Sequence, residues 1–169
     1  SKAPLFAAPS VYEGGPGFVM LEAMACGLPV IACAGSGAAE VVEGRPCLRL
    51  RGDVKLENNG GFILGALNLP DEVLRDVSAY TGLVLEVYGN SEQYNVHLRT
   101  ADIRLPWQSY RATFSATPQW QQIFLPFNDF KPHRISSELD VTRLERIGLV
   151  AIGRQFTADL CIGKVGFYK

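Results

Sequence analysis

At 169 residues, with 47% hydrophobic and 20% charged side chains, the chain is long enough to bury the core of one ordinary domain and too apolar to be a disordered tail. Its 16 basic and 17 acidic residues leave a net charge of −1, so composition supplies no general attraction to nucleic acid or to an anionic membrane surface. Four cysteines, Cys26, Cys33, Cys47 and Cys161, follow neither a metal-ligand spacing nor a dense disulfide pattern and read as reduced thiols. No apolar run is long enough to span a bilayer, and no basic stretch precedes an apolar one at the start. A cytoplasmic protein is expected, or one of an organelle matrix or stroma. Beginning at Ser1 without Met, the chain reads as a fragment or a processed form.

Two compositions meet near Gly44–Pro46, which predicts one unit over 1–44 and a second over 45–169. In the first, Leu5–Ser10 is a short buried strand and Glu13–Gly17 a glycine-rich loop. Phe18–Cys26 is a helix of good formers stopped by Gly27. Pro29–Cys33 returns as a strand, and Ala38–Val42 reads as a short helix. The unit is βαβ, with a loop of the kind that lets backbone N–H groups approach a phosphate at a helix N-terminus.

After Pro46, strands recur at short intervals. Cys47–Leu56, Phe62–Leu67, Leu83–Tyr88, Tyr94–Thr100, Ser109–Ser115, Gln119–Pro126, Ile147–Ile152, Phe156–Ile162 and Val165–Tyr168 are the candidates. Asp71–Asp76 is at most a helical turn, and Asp140–Arg146 a short helix capped by Asp140 or Ser137. Leu83–Tyr88 and Tyr94–Thr100, separated by turn residues, read as an antiparallel pair. Along the second of them Tyr94, Val96 and Leu98 face one way and Asn95, His97 and Arg99 the other. Many short strands with little helix predict a mainly β sandwich.

Two stretches resemble known families. Pro9-Ser10-Val11-Tyr12-Glu13-Gly14-Gly15-Pro16-Gly17 with Leu21-Glu22-Ala23-Met24-Ala25-Cys26-Gly27-Leu28-Pro29-Val30-Ile31 resembles the donor-binding stretch of retaining, family 4 GT-B glycosyltransferases. That resemblance implies a nucleotide-sugar contact through Glu13, Gly14, Gly15, Gly17 and Glu22. The acceptor domain and the basic residues that neutralise a leaving diphosphate have no counterpart here, so an intact transferase is not the expectation.

The second resemblance rests on Leu56-Glu57-Asn58-Asn59-Gly60-Gly61-Phe62, Asp76–Leu83, Tyr94–Thr100, Tyr110–Phe114, Trp120-Gln121, Leu125–Phe130 and Ile147-Gly148-Leu149, in that order. These segments are similar to the complex I intermediate-associated protein 30 family. The resemblance implies a galactose-binding-like jelly roll, a role in assembling a respiratory or photosynthetic complex, and no catalytic residues or cofactor. Family members carry several dozen residues before the Asn-Asn-Gly-Gly-Phe segment. Here the glycosyltransferase-like piece takes that place, which predicts missing N-terminal strands and an open sheet edge at which two copies can pair.

Candidate site residues follow from the polar positions of the strands. Glu86, Tyr88, Asn95, His97, Arg99 and Arg111 are placed together on a concave face, with a plain solvated sheet face as the competing reading. Asn58 and Asn59 read as turn residues. Trp107 and Trp120 are core or lip residues, and only an exposed tryptophan suggests a stacking platform. Arg143, Arg146 and Arg154 read as a solvated charge set. Neither His97 nor His133 has a partner at metal-ligand spacing, so no metal is expected. The expectation is a non-catalytic module binding a protein partner, with carbohydrate binding or a nucleotide-sugar transferase fragment as the alternatives.

Overall fold

The computed structural model describes residues 6–8, 30–32, 40–56, 61–69 and 75–169. Two short strands, β1 (Phe6–Ala8) and β2 (Val30–Ala32), pair in parallel with Phe6 opposite Val30 and Ala8 opposite Ala32. Both lie within stretches that the sequence predicts as strands. The glycine-rich loop, the predicted helix over Phe18–Cys26, and Glu13, Gly14, Gly15, Gly17 and Glu22 lie outside the described residues, as do Cys33, Asn58, Asn59 and the start of the Asp71–Asp76 turn.

Ten further strands form two five-stranded antiparallel sheets. The first runs in the order β3 (Glu40–Val42), β4 (Arg45–Val54), β12 (Phe156–Tyr168), β6 (Gly82–Tyr88), β9 (Gln121–Pro126). The second runs β10 (Lys131–His133), β8 (Ser109–Ala116), β7 (Glu92–Thr100), β11 (Leu144–Ala151), β5 (Ile63–Asn68). Alternation along each strand explains why they stack. Leu83, Leu85 and Val87 of β6 and Tyr94, Val96 and Leu98 of β7 are buried, while the residues between them are not. Together with Leu48, Leu50, Leu160, Ile162, Ile147 and Leu149 they make one core between the sheets. Each such aliphatic side chain removed from water contributes about 1.5–3 kcal/mol.

Tyr94 spans that core. Its ring centroid lies 5.9 Å from those of Phe114 and Phe156, and its hydroxyl donates to Asn90 Oδ1 at 2.6 Å and accepts the Asp159 N–H at 3.0 Å.

Four expectations are corrected. Glu40–Val42 is an edge strand rather than part of a helix. It turns into β4 through Glu43 (φ 49°) and Gly44 (φ 76°), and two successive positive φ values match the twist of a two-residue hairpin. The hairpin straddles the compositional change at Gly44–Pro46. β6 and β7 do not pair. Gly89 N–H and Ser91 N–H donate to Thr117 and Ala116 carbonyls, which carries the chain from one sheet to the other. Asp140–Arg146 is not a helix. Asp140 Oδ1 accepts from Thr142 N–H at 3.0 Å and Thr142 Oγ1 at 2.6 Å in a tight turn, and β11 begins at Leu144 opposite Thr100. Finally, Phe156–Tyr168 is one long strand, kinked by a bulge between Ile162 and Lys164.

Candidate binding face

The outer face of the second sheet gathers the polar positions of its strands. Asn95, His97 and Arg99 project from β7; Arg111 of β8 lies opposite His97 in register. On the other side of β7, Arg146 and Gly148 of β11 lie opposite Arg99 and His97. The absence of a side chain at Gly148 leaves a depression, and a cavity of about 130 Å³ opens there. His97, Arg99, Arg111 and Arg146 line it, with Leu64, Pro106, Gln108 and Ser109 around them.

Each basic group is held differently. Arg99 Nη1 donates to the carbonyls of Leu105 (3.0 Å), Pro106 (3.2 Å) and Gln108 (3.0 Å), which ties the loop after β7 to the sheet. That loop carries two exposed apolar side chains, Leu105 at 42% and Trp107 at 51%. Arg111 Nε donates to Ser109 Oγ at 2.9 Å, which orients the guanidinium. Among the described residues no carboxylate lies within ion-pair distance of Arg99, Arg111 or Arg146.

Electrostatics follow from this crowding. Burial, and then Arg146, lower the pKa of Arg99, while burial and Arg134 lower that of Arg111. His97 is pushed down to about 4, first by burial and then by Arg111 and His133, so the ring is neutral at pH 7. Its Nε2 is buried without a hydrogen-bond partner. A buried polar atom of this kind is uncommon and calls for a reason.

Glu86 and Tyr88 are not beside these residues. β6 belongs to the first sheet, so both side chains lie on the opposite outside surface of the sandwich. Charges there are matched. Arg49 donates in a two-pronged pair to Asp159 (Nε–Oδ1 2.6 Å, Nη2–Oδ2 2.7 Å) and also reaches Glu40. Arg45 pairs with Glu86 and lies over Trp120, 5.7 Å from the ring centroid. Trp120 stacks beside Tyr88 at 5.9 Å and donates to the Val42 carbonyl at 3.0 Å, so it is a structural lip residue. Cys47 and Cys161, both free and buried, lie against each other beneath this layer; the contact and burial push the Cys161 thiol up.

Arg146 and Trp107 are the residues that sequence reasoning missed for the second face. Arg143 lines a separate cavity with Arg75 and Thr142, and Arg154 pairs with Glu92. A larger depression of about 770 Å³, also not foreseen, lies between Tyr80, Phe127, Pro132 and Leu139. Among the described residues no cluster of three His, Cys, Asp or Glu side chains forms a metal site, and no helix is long and apolar enough to cross a membrane.

Similarity to known proteins fits this architecture. The chain is similar to the family 11 carbohydrate-binding module from Clostridium thermocellum, solved with a β-1,3-1,4-mixed-linked tetrasaccharide: 12% identity over 77% of this chain and 81% of that one, TM-score 0.62. A family 30 carbohydrate-binding module is similar at 15% identity over 79% and 83%, TM-score 0.56. At such identities the likeness establishes the fold alone, a galactose-binding-like jelly roll. No curated protein matches the chain. A family model described as glycosyl transferases group 1 matches residues 1–59. The model of complex I intermediate-associated protein 30 matches residues 33–162, and the chain belongs to that family.

Proposed function

We propose that the chain is a non-catalytic binding module that holds a protein partner during assembly of a respiratory or photosynthetic complex, using the outer face of its second sheet. Family membership supports the assembly role. One observation carries the choice of face: Leu64 and Pro106 share a cavity with arginines that have no carboxylate within ion-pair distance among the described residues, and the loop that Arg99 anchors carries the exposed Trp107. Tryptophan and arginine are the residues that most often dominate interface energies, and an apolar centre with a polar rim gives affinity without chemistry.

The test is recovery of complex I subunits from detergent-solubilised membranes on the tagged chain. Trp107→Ala and Arg111→Glu are each expected to reduce recovery at least tenfold, the effect of about 1.4 kcal/mol or more. Recovery by both variants equal to that of the unaltered chain refutes the choice of face.

Carbohydrate binding is the second reading, favoured by Trp107 standing exposed beside a polar sheet face. A glycan array with no hit at millimolar concentration dismisses it. A nucleotide-sugar site is supported only by the match over residues 1–59. It predicts a saturable rise in melting temperature with UDP- or GDP-sugars that Glu22→Ala abolishes.

A further inference from the structure

We infer that the pocket between β7, β8 and β11 is a receptor for a single carboxylate, supplied by an aspartate or glutamate of an acidic segment on the partner. This rests on the binding-module reading and gives its chemistry.

Two features point to an anion. Arg111 and Arg146 reach one small cavity with no acidic residue within ion-pair distance among the described residues. Removing guanidinium groups from water without a counter-charge is costly, and a carboxylate in the cavity offsets that cost. His97, whose Nε2 lies buried without a partner, lines the same cavity as a neutral ring and so adds no negative charge to compete with an anion. Arg99 lines the same cavity with its Nη1 held by three loop carbonyls, so it adds positive charge there while anchoring the loop.

Shape then decides the size of the ligand group. About 130 Å³ is well below the roughly 300–1,000 Å³ that encloses a whole small molecule, so the pocket takes a functional group and not a ring. A planar carboxylate matches the fork of a guanidinium with two parallel hydrogen bonds. Leu64 and Pro106 in the lining supply apolar contact of the kind that flanking protein side chains use, and we take a polypeptide as the source on that ground.

The experiment is calorimetric titration of the whole chain, at fixed ionic strength, with a hexaglutamate peptide and separately with oligogalacturonate. Hexaglutamate is expected to bind. Arg111→Met and Arg146→Met are each expected to weaken it about tenfold, the loss of a charged hydrogen bond. Arg111→Lys, which keeps the charge without the fork, falls between. Arg51→Met, on the opposite sheet, leaves affinity unchanged. A change in the His97 ring resonances on adding hexaglutamate places the peptide in the pocket.

Binding of oligogalacturonate alone overturns the acidic-segment proposal in favour of a sugar acid. Equal weakening by Arg51→Met, or no binding of either probe, overturns the receptor altogether. If hexaglutamate fails while complex I subunits are still recovered, the pocket assignment falls and the binding-module reading stands.

Discussion

The two outer faces of this sandwich are built from the same alternation of apolar and polar residues, yet they use their arginines in opposite ways. On the first sheet every arginine that meets a carboxylate does so in a defined pair: Arg45 with Glu86, Arg49 with Asp159 and Glu40, and Arg51 with Asp159. On the second, outward positions of β5, β7, β8, β10 and β11 hold Arg99, Arg111, Arg146, Lys131 and His133 without one outward aspartate or glutamate apart from Glu145 at the β11 bulge, which Arg75 takes up. Hydrophobic patterning is satisfied equally on both sides. The difference lies in where acidic residues stand: the first surface pairs its arginines internally, and among the described residues Arg99, Arg111 and Arg146 of the second have no such pair.

Breaking the matched face has the largest expected effect. Arg49 and Asp159 are each only 26% exposed and share two hydrogen bonds. Arg49→Met leaves Asp159 partly buried with only the distant Arg51, at 3.9 Å. The expected cost is about 1–3 kcal/mol, read as a lower urea midpoint with an unchanged slope. Asp159 adds a pH signature. Its hydrogen bond to Arg49 holds its pKa below the ordinary carboxylate value. The pair therefore stabilises fully above that value and is lost as pH falls beneath it. A midpoint in Arg49→Met equal to that of the parent sinks the idea that this face is self-stabilising.

A second prediction sharpens the contrast at a milder pH. His97 faces Arg111 of β8, Arg99 on its own strand, Arg146 of β11 and His133 and Lys131 of β10, all basic. Its pKa, lowered from 6.5 to about 4, means the unfolded chain binds the extra proton first. Stability is thus full above pH 6.5 and falls as pH drops toward 4. Discounted for water at the pocket mouth, the loss is on the order of 1–2 kcal/mol. His97→Gln is expected to flatten the stability–pH curve in this window; a curve that stays as steep shows another group is responsible.

Much of this was legible in the chain. Tyr94, Val96 and Leu98 are buried and Asn95, His97 and Arg99 are not, as period-two alternation requires. Which strands share a sheet was not legible. β6 and β7 are separated by only three residues of turn chemistry and look like a hairpin, but they enter different sheets because their partners are β12 and β9 on one side and β8 and β11 on the other. Those choices depend on pairings as distant in sequence as Glu86 with Lys164, which no local pattern contains. The same gap separated Glu86 and Tyr88 from the rest of the predicted face. Arg146 was missed for a local reason. Asp140 followed by Thr142, Arg143 and Leu144 resembles a capped helix, and a helical reading gives Arg146 a solvated side. The β11 bulge at Glu145 instead resets the alternation and points Arg146 at the same cavity as Arg99.

The smallest expected effect is the one that best tests the comparison. Arg111→Met and Arg146→Met remove charge from the unmatched face, where no acidic partner is left behind and neighbouring guanidiniums repel one another. Methionine keeps most of the stem that covers the sheet. Losing a cation with no carboxylate partner from a surface that disfavours it is expected to change stability by no more than about 0.5 kcal/mol, with the sign toward stabilisation for Arg146 and offset for Arg111 by its hydrogen bond to Ser109. Chemical denaturation of the two variants beside Arg49→Met reads the contrast directly. The same substitution is costly where an arginine is paired and close to neutral where it is not. Should Arg111→Met or Arg146→Met destabilise as much as Arg49→Met, these arginines hold the fold together and are not free for a ligand.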